Sequence, residues 1–320
     1  MKVVVIGGCG FIGSHIVDVL TGLGMSVRVF DRKPEAFRAA VPGVDYILGD
    51  LADISLLTSA VSGMDAVIHL ASSTVPQTSN LDPVADITDN LIGCVRLLDV
   101  MRSAGVGNIL YLSSGGTVYG IPQHEPVTED HPLQPLNSYG IVKVAAEKYL
   151  HMYSQLHGLR YCVLRASNPY GPRQGHTGIQ GVISTYLWKA LREQPIEIWG
   201  DGRIVRDFIH VRDLAELCAL ALTSGASGIY NAGSGQGTSI LEIVATLEQV
   251  TGRLLAPVFK PGRNFDVPRV VLDITRARNT FKWSPRTGLL AGIAETWQWM
   301  QEQSAPCPGP QPAVREVVPA

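Results

Sequence analysis

The strand-like run Lys2-Val3-Val4-Val5-Ile6 feeds straight into Gly7-Gly8-Cys9-Gly10-Phe11-Ile12-Gly13, and a helical pattern begins at Phe11. This junction constrains the fold more than any other stretch. Glycines at that spacing between a buried strand and a helix answer separate steric demands. The first allows a tight turn, the second lets the backbone approach a pyrophosphate, and the third lets helix and strand pack closely. The helix start adds N–H groups without intrahelical partners and a positive dipole end, both of which favour phosphate. A chain that opens this way is expected to place a dinucleotide at the first turn of a parallel sheet.

The alternation that such a sheet needs continues downstream. Val27–Phe30, Tyr46–Leu48, Ala66–Leu70, Ile109–Leu112 and Tyr161–Leu164 are short apolar runs rich in Val and Ile, suited to parallel strands buried on both faces. Helical patterns over Phe11–Leu23, Ile54–Val61, Val84–Ala104 and Ser138–Leu156 separate them. The fold class expected is α/β, a Rossmann-type doubly wound parallel sheet. After Arg165 the texture changes. A turn cluster at Asn168-Pro169-Tyr170-Gly171-Pro172 precedes a helix near Ile179–Arg192, and a Pro/Gly-rich stretch from Pro257 to Pro268 precedes a last helix near Leu289–Gln301. Phe208–Val211 and Ile229–Asn231 read as strands returning to the first sheet. The division expected is a dinucleotide-binding domain over residues 1–167 with 207–232 returning to it, and a smaller, discontinuous C-terminal substrate-binding lobe over 168–206 and 233–303. The Pro-rich tail Ser304–Ala320 is expected to be disordered.

Tyr139 and Lys143 are four apart, and so lie on one face of a helix. A free phenol has a pKa of about 10, and bringing it to about 7 takes roughly 4 kcal/mol of differential stabilisation. A neighbouring ammonium favours the phenolate, and a cationic nicotinamide ring would add to it. Such a pair is an acid/base suited to moving an alcohol proton while a cofactor takes the hydride. On the cofactor side, Asp31 ends the second strand, where an acidic residue hydrogen-bonds the ribose hydroxyls and repels a 2′-phosphate, favouring NAD. Arg32 and Lys33 follow at once and offer cations to a 2′-phosphate. Asp50 and Leu51 would flank the adenine, and Leu70, Ala71 and Ser72 would line the middle of the cofactor.

Together with Ser113-Ser114-Gly115-Gly116-Thr117-Val118-Tyr119-Gly120 and Arg165-x-x-Asn168-x-Tyr170-Gly171-Pro172, these motifs resemble the extended short-chain dehydrogenase/reductases. Within them the chain is most similar to the nucleotide-sugar epimerases and dehydratases, and best to UDP-glucose 4-epimerase-like members. The resemblance covers nearly all of residues 1–302. It implies that Tyr139 is the catalytic base, that Lys143 holds the nicotinamide ribose, and that Phe11, Ile12, Asn90 and Ser113 also meet the cofactor. It implies that Asn168, Arg206, Arg263 and Asp266 bind the sugar nucleotide, and that the reaction passes through a transient 4-keto sugar with NAD recycled in place. Val270 matches a position that gates the space for a 2-acetamido group, and its small size permits an N-acetylhexosamine. The family's hydroxyl partner for the reacting oxygen is missing, because Gly115 stands in its place; Ser114 or Thr117 could replace it, with Thr117 preferred, or the flexible Gly115-Gly116 pair could bring backbone N–H groups near the substrate. Gly116-Thr117 also stands where dehydratases carry an Asp-Glu pair. A nucleotide-sugar reductase or dehydrogenase, a UDP-uronic acid epimerase, and a binding protein without turnover are the alternative readings.

Composition bounds the partners. With 46% hydrophobic and 17% charged residues and a formal net charge of -2, no global basic field draws the chain to nucleic acid or anionic membrane. No apolar run is long enough to span a bilayer, and Met1 leads directly into a strand. The 5 cysteines show no metal-ligand spacing, and no metal site is expected. Cytoplasmic placement follows as the default. A homodimer is expected from the resemblance, through the helices around Val84–Ala104 and Ser138–Leu156, with Leu91, Val95, Leu98 and Met101 as an apolar stripe. His69 reads as a core histidine and His210 as a structural, hydrogen-bonding one.

Overall fold

The structure is a computed structural model that describes residues 1–175, 181–262 and 267–304. The chain begins β1 (Lys2–Ile6), α1 (Phe11–Gly22), β2 (Ser26–Asp31), β3 (Asp45–Leu48), α2 (Ile54–Val61) and β4 (Ala66–His69). It continues through α3 (Pro83–Asp86), a π-helical turn (Ile87–Ile92), α4 (Gly93–Ser103), β5 (Asn108–Ser114), α5 (Ser138–His157) and β6 (Arg160–Ala166). Beyond these come β7 (Asn168–Tyr170), α6 (Val182–Leu191), β8 (Glu197–Trp199), β9 (Val205–His210), α7 (Val211–Thr223) and β10 (Gly228–Ala232). The last elements are β11 (Gly237–Ser239), α8 (Ile240–Thr251), β12 (Val258–Lys260), β13 (Arg269–Val270), α9 (Thr275–Phe281) and α10 (Leu289–Ser304).

The main sheet has 7 strands in the order β10-β6-β5-β4-β1-β2-β3, and every pairing in it is parallel. It is the doubly wound sheet expected. β1 shows why its strands read as unbroken apolar runs. Val3 and Val5 pack on one face, in the core that also buries Ile16, Leu20 and Leu214; Val4 and Ile6 pack on the other, with Leu57, Leu97 and Leu150. Side chains alternate across a strand, so a strand covered on both sides needs apolar residues at every position. The strand order reverses between β1 and β4, and ligands of open α/β sheets bind at such a switch point, beyond the carboxyl ends of the strands.

Where structure and sequence expectation differ, the reasons are local. The segment around Phe208 does not return to the first sheet. β9 instead pairs with β7 and β13 in parallel and with β11 antiparallel, forming a second sheet. The place beside β6 is taken by β10. Asp207 helps hold β9 where it is. This 1% exposed residue accepts bonds from the N–H groups of Ser234, Gly235 and Leu272, so a polar residue in mid-strand serves as an anchor for the adjoining loops. α7, to which the sequence reading gave no element, follows β9 and packs against α1. The helix expected over Val84–Ala104 is interrupted by the π-helical turn, the kind of insertion that is frequent at functional sites. A third core gathers α6, α8 and α10 around Leu187, Ile198, Leu247 and Ile293. Of the expected disordered tail, Ser304 ends α10, and residues 305–320 lie outside the described residues.

Candidate active site

The glycine turn is shaped as its spacing requires. Gly7 has φ +88, and a Cβ there would lie 2.8 Å from Ala71 N, so the turn presses against the chain leaving β4. A Cβ on Gly13 would lie 2.2 Å from the Gly7 carbonyl oxygen, so only glycine lets α1 approach this closely. Gly10 is exposed, leaving its backbone open to a ligand. Gly7, Gly10, Asp31, Arg32, Asp50, Leu51, Leu70, Ala71, Ser72 and Asn90 line one cleft at the carboxyl ends of β1, β2 and β4. Ser73 and Asp89 join them without having been singled out in the sequence. Phe11 and Ile12 begin α1 and are half-buried outside that lining; their route to a phosphate is the backbone N–H of a helix start.

This cleft fits an adenosine without a 2′-phosphate. Asp31 accepts from Cys9 N at 3.0 Å and from Lys33 N at 3.2 Å, which fixes its carboxylate at the strand end. Arg32 turns its guanidinium toward Asp50 (3.5 Å) and Asp89 (3.8 Å), so its charge is shared by two carboxylates. Three acids against one arginine leave this end of the cleft hostile to an additional phosphate dianion. Removing the Asp31 charge (Asp31→Asn) should lower NAD retention and raise the NADP/NAD affinity ratio by at least about tenfold, since like charges face to face cost several kcal/mol. Equilibrium binding of both dinucleotides measures it, and an unchanged ratio counts against this assignment.

Tyr139 and Lys143, the pair expected to be catalytic, lie on the first turns of α5. Asn137 caps this helix by accepting from Gly140 N at 2.8 Å, and Ser138 N donates to Asn80 Oδ1 at 2.9 Å. Tyr139 is half-buried and Lys143 is buried. The Lys143 ammonium donates to the Leu112 carbonyl at 3.0 Å and lies 4.8 Å from the Tyr111 ring centroid and 5.4 Å from that of Tyr139. Burial pushes the Tyr139 phenol up to about 12, and the charge of Asp86 adds to that. Burial brings Lys143 down to about 8, against the pull of Cys94, Glu147 and Asp86. The sequence expectation drew on two cations, the lysine and a nicotinamide ring, and only the lysine belongs to the chain. The ammonium rests over the ring faces, and the chain's own charges hold the phenol protonated, so a further positive charge must come from an oxidised nicotinamide.

Thr117 is a candidate for the hydroxyl missing at Gly115. Its hydroxyl oxygen is buried and has no hydrogen-bond partner among the described residues. An orphaned buried hydroxyl costs free energy, and such groups call for a functional explanation. It belongs to the turn that abuts α5, since a Cβ on Gly140 would lie 3.0 Å from the Thr117 carbonyl oxygen. Gly115 has little room for a side chain unless Leu272 shifts. Its Cβ would fall 2.5 Å from a methyl of Leu272, a residue the sequence reading passed over. Ser114 is half-buried, and its carbonyl accepts from Thr117 N and Val118 N. Ser113, expected at the cofactor, donates its hydroxyl to Glu147 at 2.6 Å instead. It thereby joins a buried network in which Arg165 pairs with Glu147 at 2.6 Å and donates to the Tyr119 hydroxyl at 3.0 Å.

The expected substrate residues come together in part. β7 and β9 are neighbours, with Asn168 opposite Phe208, and Asn168 Nδ2 donates to the Asp207 carbonyl at 2.8 Å. Arg206, on β9, donates to the Val205 carbonyl at 2.9 Å, and Val270 lies opposite it on β13. Arg263 and Asp266 lie outside the described residues. His69 is a core histidine 5.4 Å from the Tyr111 ring, brought down to about 3 by burial and by Lys143. His210 is buried with neither ring nitrogen hydrogen-bonded among the described residues; it packs edge-on against Tyr170, and its Nε2 lies 3.8 Å from Glu295 Oε2, so the hydrogen bonding expected of it is not seen there.

Comparison with known proteins agrees with this geometry. A putative UDP-glucose 4-epimerase of Methanocaldococcus jannaschii is 35% identical over 304 residues, covering 94% of this chain and 99% of that protein. The UDP-glucose 4-epimerase of Thermotoga maritima, solved with UDP-glucose, superposes with a TM-score of 0.90 at 33% identity, covering 95% of this chain and 99% of the other. The enzyme of Thermus thermophilus, solved with NAD, gives 0.88 at 35% identity, covering 94% and 99%. Residues 3–233 match the NAD dependent epimerase/dehydratase family, and the chain belongs to it.

Proposed function

We propose that this protein inverts the C4 configuration of a UDP-hexose or UDP-N-acetylhexosamine while NAD stays bound. The observation that carries the reading is the sealed, unbonded Thr117 hydroxyl in the turn against which the start of α5, with Tyr139, is packed. Bound NAD supplies the place where the hydrogen of the sugar C4 is held and from which it returns. Tyr139 takes the proton of the 4-hydroxyl and gives it back after the sugar has turned its other face. Thr117 Oγ1 holds that oxygen through both transfers, with Ser114 beside it, and Lys143 keeps a cation beneath the phenol. Asn168 and Arg206, with Arg263 and Asp266, bind the diphosphate as a tether; a guanidinium fork suits phosphate oxygens. Positioning of this kind supplies much of the rate in such reactions.

In this reading residues 1–167 and 211–232 serve the cofactor, and 168–210 with 233–303 serve the sugar nucleotide, β9 having moved to the second sheet. The protein works as a homodimer in a reducing, cytoplasmic setting. Cys9, Cys94, Cys162 and Cys218 are free and buried, in keeping with that setting, and no helix among the described residues is long and apolar enough to cross a membrane. The dimer face differs from the stripe expected, because Leu98 and Met101 are buried in the protomer's own core. Val84, Ile87, Ile92, Ile141, Tyr149, Met152 and Leu156 are exposed apolar residues of these helices, and the proposed contact draws on them.

The test is incubation with UDP-galactose and, separately, UDP-N-acetylgalactosamine, followed by NMR of the anomeric protons. Conversion of either to its C4 epimer without net consumption of NAD(P)H is expected. Stoichiometric NAD(P)H oxidation would mark a reductase instead. Thr117→Val should lower kcat by about 100-fold, the scale of losing one hydrogen bond to a reacting oxygen. It should also stabilise the fold by about 1 kcal/mol, because it removes a buried hydroxyl without a partner. Kinetics and urea unfolding read the two effects, and a variant with full activity would exclude Thr117 from the site.

A further inference from the structure

Asp86 has no exposed surface, yet the side chains that hydrogen-bond its carboxylate are all neutral donors. Ser138 Oγ donates to Oδ2 at 2.6 Å, while Thr74 Oγ1 at 2.6 Å and Asn90 Nδ2 at 2.7 Å donate to Oδ1. A buried carboxylate is costly unless hydrogen bonds or opposite charge offset it, and here three bonds keep a formal negative charge inside the protein. The donors come from three segments that meet at the site. Ser138 immediately precedes Tyr139. Thr74 follows the Leu70–Ser73 wall of the cofactor cleft. Asn90 belongs to the π-helical turn, and its Oδ1 accepts from Ser73 N at 2.8 Å.

We propose that Asp86 is a positioning residue that ties the start of α5 to the cofactor wall and, through its fixed charge, sets the pH window in which Tyr139 and Lys143 work. The inference rests on the epimerase reading above. The groups facing the pair are Asp86 from α3, Cys94 from α4, His69 from β4, Tyr111 from β5 and Glu147 one turn along α5. Cys94, pushed up to about 12 by burial, and Tyr111, pushed well above its ordinary range, are neutral around pH 7. His69, brought down to about 3, is neutral as well. Of the two formal anions, Glu147 pairs with Arg165 at 2.6 Å. Asp86 is the anion whose charge reaches Tyr139, and together with Glu147 it acts on Lys143.

An anion raises the pKa of every neighbour, acid or base. Asp86 therefore opposes loss of the Tyr139 proton and favours the Lys143 ammonium. A rate that requires the phenolate rises through the Tyr139 pKa, and one that requires the ammonium falls through the Lys143 pKa. Removing the anion lowers both, so both limbs of the profile move toward acid.

Asp86→Asn tests this, because its carbonyl still accepts from Thr74 and Asn90 and its amide donates to the Ser138 hydroxyl. Asp86→Ser removes the same charge with a smaller side chain, so failure of one variant to fold does not decide the matter. In the NAD-loaded protein, kcat for UDP-hexoses against pH should shift both limbs down by about one unit, the scale of one nearby charge, with KM changed by less than about threefold. Ser138→Ala keeps the charge and should leave the limbs in place while lowering kcat. Ultraviolet difference titration of the Tyr139 phenol, each background against its Tyr139→Phe partner, reads the same displacement without turnover. Unmoved limbs and an unmoved phenol midpoint in the Asp86 variants overturn the proposal, as does an equal shift in Ser138→Ala. A displaced phenol midpoint in a protein inert toward every UDP-hexose would instead remove the sugar-nucleotide reading and leave the assignment of Asp86 standing.

Discussion

Tyr139→Phe is expected to lower kcat for 4-epimerisation by about three orders of magnitude, within the range that a positioned general acid–base contributes. The structure supplies the reason the loss should be this large. Burial and Asp86 hold the phenol near 12. The other residue of the pair, Lys143, is buried and donates to the Leu112 carbonyl, so no other proton acceptor of suitable chemistry has been assigned to the site. NAD content and KM should change little, because phenylalanine keeps the ring that the ammonium faces at 5.4 Å. Interconversion at the wild-type rate, measured by NMR, would eliminate the proposed base; loss of bound NAD would show that the ring hydroxyl serves the cofactor rather than the proton.

Glu147→Gln is expected to destabilise the fold by about 3–5 kcal/mol, the range for stripping one partner from a buried ion pair. Both side chains are almost wholly enclosed, at 2% exposure for Arg165 and 1% for Glu147. Burial alone would depress Arg165, but the hydrogen bonds and charge of Glu147 more than reverse it and hold the guanidinium well above its ordinary range. The glutamate accepts from Arg165 Nε at 3.0 Å, from Nη2 at 2.6 Å and from Ser113 Oγ at 2.6 Å. An amide in its place leaves a guanidinium without a counter-charge in the centre of the sheet. Urea unfolding measures the cost. The double variant Glu147→Leu with Arg165→Met should recover much of it, because well-packed apolar replacements of buried pairs are often neutral or better. A single variant as stable as the parent would show that water reaches the pair.

Much of this arrangement was legible in the sequence, and the illegible parts share a cause. The glycine turn, Asp31 and the Tyr139–Lys143 pair are local patterns whose meaning is carried by residues a few positions apart. The strands of the main sheet were readable because burial on both faces leaves a run of Val and Ile. The sheet that β9 would join was not readable, since Phe208 and Ile209 suit any buried strand and the choice depends on β10 arriving beside β6. α7 escaped notice although Leu214, Leu217, Cys218, Ala221 and Leu222 keep a helical spacing, because Ala215 and Ala219 beside that stripe are buried too, which blurs the contrast between faces on which helical periodicity rests. Asp86 looked like one more acid near a helix start. Its spacing of four from Asn90 is the one local hint, and its link to Ser138 spans 52 positions.

The crowding of Gly115 by Leu272 has a consequence for how such a site can change. A serine at 115 would meet the leucine methyls before its oxygen reached any substrate, so that exchange alone gains a hydroxyl and loses a fit. Trimming Leu272 alone opens a void beneath the turn. A smaller residue at 272 together with a serine at 115 relieves that contact without asking the leucine to move. The two positions are 157 apart in the chain, yet a library that alters them together follows the least strained route from one hydroxyl arrangement to the other.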